Sequence, residues 1–278
     1  MDLTTSAPRR VRLLGAQLDM VTPSDVLRFA DECAKAHRKG IVANHNAHSL
    51  ALVRREPAMR DFYAMADIIE FDSTPLIAWG KAMGLPVSRR HRCTYLDWRE
   101  EFWSLAQVKG WRVFHLGGAP GVAEAAAARI RARWSVALGA HHGYFDMSEG
   151  SPEAREVLDT INAFAPDILF VGLGMPLQER WIAQNFHRLE RGVVFSVGGA
   201  FDYEAGVQAT PPRWTGRLGL EWLFRLASQP RRLFARYCLE PWTLAPLALD
   251  DIRRAVRQRR RGGAWASGAA IARSGQAG

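Results

Sequence analysis

Four side chains able to handle protons or phosphates stand just beyond short apolar runs: Asp72, Gln178, Glu179 and Asp202. A polar side chain at the end of a buried strand is placed to meet a ligand rather than to pack. Asp72 precedes Ser73-Thr74-Pro75, so its spacing admits two roles: a cap for the next helix, or a general base for a hydroxyl. Asn44, His45, Asn46 and His48 crowd a second strand end, where they can bind sugar hydroxyls or phosphate. Arg90 and Arg92 carry planar guanidinium groups that suit a diphosphate. Gly117-Gly118-Ala119-Pro120-Gly121 can offer backbone N–H groups to the same kind of anion, or can be a tight turn alone. Tyr144 can stack on a flat base or fill a core.

The chain shows no DxD motif, and His141 and His142 are adjacent rather than at ligand spacing. Cys33, Cys93 and Cys238 are odd in number and lack CxxC spacing, so no metal site and no structural disulfide are expected. Nothing calls for a cofactor.

These residues need a scaffold that gathers strand ends at one edge. The runs Ile41–Ala43, Ile68–Phe71, Trp111–Leu116, Asp167–Val171 and Val193–Val197 are short and mostly apolar, and the last two are close to the continuous pattern of strands covered on both faces. Helical stretches alternate with them: 22–38, 50–65 with a break near Pro57, 75–83, 95–108, 120–134, 152–164 and 176–189. Pro176 suits the first turn of its helix. Strand–helix alternation predicts an α/β fold with a Rossmann-like parallel sheet over residues 1–212. A helical segment at 213–253 and a disordered basic tail at 254–278 complete the expected organisation.

The chain has 278 residues and a formal net charge of +9. Residues 213–278 hold thirteen Arg, no Lys and four acidic residues, so that segment alone carries +9 and the body is neutral. Trp214, Trp222, Phe224, Phe234, Tyr237 and Trp242 lie among the arginines. This interleaving fits an anionic membrane surface or polyphosphate, a solvated helical face, or nucleic acid. Residues 1–12 lack the apolar core of a signal peptide, and no apolar run approaches the roughly 20 residues that span a bilayer. The expected location is cytoplasmic, with any membrane contact peripheral.

An ordered series of segments carries a resemblance. It comprises Asn44–Leu50, Ala66–Asp72, Val113–Gly118, Gly143–Phe145, Gly174–Glu179, Val197–Asp202, Pro212–Trp214, Leu220–Leu226, Gln229–Leu233 and Arg236-Tyr237. Over roughly residues 10–245 the chain resembles the bacterial WecG/TagA/CpsF glycosyltransferases, which move a sugar from a nucleotide donor to a polyprenyl-diphosphate-linked sugar. It differs in having Ser73-Thr74-Pro75 where glycine is common, and Asn44 where threonine is frequent.

The resemblance implies an inverting, metal-independent transfer of an N-acetylmannosamine-like sugar from a UDP donor, in cell-surface polysaccharide assembly. It implies Asp72 as base, with Asn44 beside it, and Arg90 or Arg92 steadying the leaving diphosphate. Tyr144, Gln178 and Asp202 would hold the nucleotide; residue type and position add Glu179, Asn46, His48, Gly117 and Gly118 as further candidate substrate contacts. Arg225, Arg231, Arg232 and Arg236 would reach the acceptor diphosphate or the active site, joining Arg90 or Arg92 on the leaving UDP, from a C-terminal segment that would dock on the anionic inner face of the plasma membrane. Self-association is left open. The same fold using UDP-glucose or a UDP-uronic acid is one alternative; a non-catalytic nucleotide- or nucleic-acid-binding module is another.

Overall fold

The computed structural model describes residues 9–260, save the side chains of Arg213, Arg217, Leu218, Arg232 and Arg260. It opens on an antiparallel hairpin of β1 (Arg10–Leu13) and β2 (Ala16–Asp19). Leu14 and Gly15 make the turn with φ of 49° and 78°. Two positive φ values in a two-residue loop give a twist that matches the flanking strands. The hairpin is tied down by Asp19, which accepts from Arg10 and from Ile69 N.

The main sheet comprises β3 (Gly40–His45), β4 (Ile68–Phe71), β5 (Arg112–Gly117), β6 (Ala137–His141), β7 (Ile168–Gly172) and β8 (Val193–Ser196). Its order is β4-β3-β8-β7-β5-β6, and every pairing is parallel. This is the α/β, Rossmann-like architecture expected, and it brings six carboxyl ends to one edge.

Alternation along each strand serves two cores. Val42, Ile168, Phe170, Val193 and Phe195 pack with Trp98, Phe102 and Trp103. Their neighbours Ile41, Ala43, Leu169, Val171 and Val194 face Phe62, Trp181 and Ile182 on the other side. The first core is an aromatic lattice: Phe102 and Phe170 lie 4.9 Å apart centre to centre, and Phe170 and Phe195 5.5 Å. Such pairs add about 0.5–1.5 kcal/mol each beyond area burial. The lattice fixes helix Tyr95–Lys109 against the sheet beneath the ends of β3 and β8.

Beyond the sheet the chain is helical: Arg213–Leu218, Glu221–Ser228, Pro230–Phe234, a π-helical turn Ala235–Leu239, a 3-10 stretch Glu240–Leu244, and Ala245–Arg260. The last helix does not stop at 253 as the sequence reading had it. It continues to Arg260, because its inner face is anchored as a packed helix. Leu244 and Leu247 join the hairpin's apolar cluster, and Ala255 is buried. The Asp251 carboxylate accepts from Leu14 N at 2.8 Å and from Trp79 Nε1 at 3.1 Å. Residues 261–278, the remainder of the expected tail, lie outside the described residues.

Candidate active site

Two adjoining cavities open at the carboxyl edge. The larger, about 700 Å³, is walled by the ends of β3, β4 and β8, the Gly174–Gln178 turn, Asp202 and the C-terminal segment. The smaller, about 360 Å³, has a more apolar wall that includes Leu96, Tyr203, Pro211, Trp222, Tyr237 and Pro241. Asn46, His48, Asp72, Gly199, Arg225 and Arg236 line both.

Asp72 stands where the cavities meet. Its backbone extends the β3–β4 ladder by one bond, Asp72 N donating to His45 O at 3.0 Å. Helix Thr74–Ala82 has Ser73, not Asp72, at its N-cap, so the capping role does not fall to Asp72. Asn46 Nδ2 donates to Asp72 Oδ2 at 3.0 Å instead. Asn46 is held in turn, because its Oδ1 accepts from His48 N and Ser49 N and so caps helix Ala47–Leu52. Burial pushes the Asp72 carboxyl up to about 6, opposed by the Asn46 hydrogen bond and by Arg225, Arg92 and Arg236. A carboxylate of that basicity can take a proton from a bound hydroxyl near neutral pH.

Arg225 and Arg236 come from the C-terminal segment and face Asp72 across the junction. Both Nε atoms are buried without a hydrogen bond. Burial lowers the Arg236 pKa, and nearby Arg225 lowers it further. Two poorly hydrated guanidinium groups side by side favour a dianionic guest.

Arg92 sits differently. It is 5% exposed, and its guanidinium bridges Asp97 at 2.6 Å and Glu221 at 2.8 Å. Its charge clamps the C-terminal segment to the body, with Asp97 also accepting from Thr94. Arg90 is exposed, and its Nε lies 3.4 Å from His91 Nε2; it lines neither cavity. A second clamp joins His48 Nδ1 to Glu240 Oε2 at 2.5 Å.

The other expected residues divide into those at the cavity and those behind it. Asn44 lines the larger cavity while donating to Ser196 O at 2.6 Å. Gln178 also lines it, but both ends of its amide are engaged: Oε1 accepts from Gly198 N at 3.0 Å, and Nε2 donates to Glu179 at 2.8 Å. It therefore supports the Gly198-Gly199 turn. Glu179 is buried behind Gln178, its carboxyl raised to about 7 by burial, and lines neither cavity. Asp202 lines the larger cavity from helix Ala200–Ala205.

Gly117 and Gly118, with φ of 152° and 75°, meet the tight-turn requirement. A Cβ on Gly117 would stand 2.4 Å from Gly172 O, so glycine is needed there for β5 to close on β7. Neither glycine lines either of these two cavities, and Tyr144 is 71% exposed on a loop outside both. The Arg232 side chain lies outside those described.

Three acidic residues at the site escaped the sequence reading. Glu221 and Glu240 are the far ends of clamps that close over more than a hundred residues, with no local signal. Glu70 did have a signal, as the one charge in the four-residue strand Ile68–Phe71, and it lines the larger cavity.

A profile of the Glycosyl transferase WecG/TagA/CpsF family matches residues 11–260. The chain belongs to this family of glycosyltransferases. It is 28% identical over 235 residues, 81% of its length and 87% of the relative's, to the N-acetylglucosaminyldiphosphoundecaprenol N-acetyl-beta-D-mannosaminyltransferase of Staphylococcus aureus strain MW2. The enzymes so named from strains NCTC 8325 / PS 47 and COL match with the same identity and coverage. In this WecG/TagA/CpsF member, the two cavities share the Asp72 carboxylate and leave room for a ligand on either side of it.

Proposed function

We propose that this chain transfers N-acetylmannosamine, or a sugar closely like it, from a UDP donor to a sugar carried on a polyprenyl diphosphate, in cell-surface polysaccharide assembly. The observation that carries the reading is Asp72 at the junction of a polar and an apolar cavity, with Arg225 and Arg236 facing it. The names of the Staphylococcus aureus relatives support both the sugar and the acceptor class.

In this reading the larger cavity takes the donor, with Asp202, Asn44 and the Gly198-Gly199 turn against it. The smaller takes the acceptor sugar, its first isoprenyl units lying on Trp222, Tyr237 and Pro241. The acceptor hydroxyl attacks the anomeric carbon while Asp72 accepts its proton. The bond from that carbon to the diphosphate oxygen breaks, and UDP leaves with the electron pair. A single displacement inverts the anomeric centre. Arg225 and Arg236 balance the charge that develops on the leaving diphosphate, a stabilisation that strengthens where water is excluded. With two arginines in that role the transfer runs without a metal, and it should survive excess EDTA.

The C-terminal segment also supplies a membrane face. Trp214, Leu223, Phe234, Leu239 and Trp242 are exposed there, with Arg231, Arg253, Arg257 and Arg259 outward. No helix among the described residues is long and apolar enough to cross a membrane. Peripheral docking brings the smaller cavity to a lipid-borne substrate.

The test is mass spectrometry of products from a panel of UDP-sugars with a short-chain lipid-diphosphate N-acetylglucosamine acceptor. The expected product is a disaccharide lipid from UDP-N-acetylmannosamine. Absence of any lipid-linked product across the panel would overturn the reading.

A further inference from the structure

Glu70 has no part in the chemistry above, and packing does not account for it. It is 4% exposed on β4, a strand otherwise made of Ile68, Ile69 and Phe71. Its Oε1 is buried without a hydrogen bond, although leaving a buried polar atom unpaired typically costs about 1–3 kcal/mol. Successive strand residues alternate faces, so Glu70 and Asp72 share one face. Both line the larger cavity, and Glu70 does not line the smaller. Trp98 lines the same cavity, and its Nε1 is likewise buried without a partner.

We propose that Glu70 reads the donor sugar, taking an uncharged hydrogen-bonding substituent of the ring, a hydroxyl or acetamido group, at the floor of the larger cavity. This rests on the assignment of that cavity to the donor. Burial, with Asp72 and Asp97 nearby, holds the carboxyl well above its ordinary pKa and so favours the protonated form, which donates as well as accepts. Trp98 Nε1–H adds a second donor. A uronate carboxylate at this floor would face Asp72 within the same enclosure, and the like charges disfavour it.

The test is calorimetry on the full chain and its Glu70→Leu and Glu70→Gln variants, with UDP, UDP-N-acetylmannosamine and UDP-glucuronate as probes. In the wild type UDP-N-acetylmannosamine should bind more tightly than UDP, and UDP-glucuronate no more tightly than UDP. Glu70→Leu should lose about three- to ten-fold of the sugar's share while UDP affinity stays within two-fold, the loss expected for one hydrogen bond. Glu70→Gln, which keeps a donor and an acceptor, should stay within two-fold throughout. Because it removes an unpaired buried group, Glu70→Leu should also melt higher than the wild type. Equal sugar preference in the wild type and Glu70→Leu, or a wild-type preference for UDP-glucuronate, would overturn the proposal while the donor assignment stands. A wild type that binds none of the three probes would remove the donor assignment and this proposal with it.

Discussion

At the scale of the residue, the proposed transfer turns on how one carboxylate, Asp72, is held. Asp72→Asn keeps the shape and the partner Asn46 but removes the base, so transfer should fall by about 10²–10⁴ while UDP affinity changes little. Steady-state rates beside calorimetry separate the two effects; a wild-type rate in the variant would exclude Asp72 from proton transfer. Because the base must be ionised, wild-type activity should rise as pH passes upward through about 6. Stability carries the opposite sign. The folded-state pKa lies above the ordinary value of 3.8, so the contribution of this group is fully present below about 3.8 and is lost as pH rises through about 6. Asp72→Asn should therefore melt higher than the wild type at pH 8, with the gap shrinking toward pH 4 in thermal scans.

At the scale of the element, the C-terminal segment works only if it is held over the sheet edge. Arg92 does this by joining helix Tyr95–Lys109, through Asp97, to helix Glu221–Ser228, through Glu221. Arg92 is buried while Asp97 and Glu221 keep partial contact with solvent, so removing its charge-assisted hydrogen bonds costs about 1–3 kcal/mol. Arg92→Met should lower stability by about that much and release Arg225 from Asp72, so transfer falls as well. Denaturant titration and product assays check both, and Glu221→Gln should mimic the activity loss at a smaller cost. Arg92 also shows where sequence reading reaches its limit. Its guanidinium type was legible and so was its neighbourhood, but its partner lies 129 residues away. The strands β3, β4, β5, β7 and β8 were legible because each is a short, mainly apolar run rich in Ile, Val, Leu and Phe. The edge strand β6, Ala-Leu-Gly-Ala-His, has no β-branched residue and only Leu138 fully buried, so it gave no such signal. Val11–Leu14 read as a short strand in the sequence, but the β1–β2 turn is Leu-Gly rather than Asn-Gly, which hid the second strand. Asp72, Asn44 and Asp202 were legible because strand ends in an α/β sheet converge. Glu70 was read as part of the strand and not as part of the floor.

At the scale of the whole molecule, a neutral body carries a basic, aromatic-bearing segment on the side where the cavities open. Each Lys or Arg near an anionic leaflet contributes about 1 kcal/mol. The full chain should therefore sediment with phosphatidylglycerol vesicles at low salt and dissociate as ionic strength rises, since attraction is screened beyond roughly 10 Å at 0.1 M salt. Replacing Trp242, 77% exposed, and Phe234 by Ser should weaken sedimentation without lowering the melting temperature. Salt-independent sedimentation, or none, would remove the segment from membrane docking. The way this segment is fastened has a further consequence. Asp251 ties the last helix to the Leu14 turn and to Trp79, while the Arg92 and His48 pairs pin the stretch before it. A strap buckled at both ends cannot swing aside like a door; it can only bow in the middle. On the proposed function, a long isoprenoid would then have to slip in sideways between strap and leaflet, and a product one sugar longer would have to back out by the same slot.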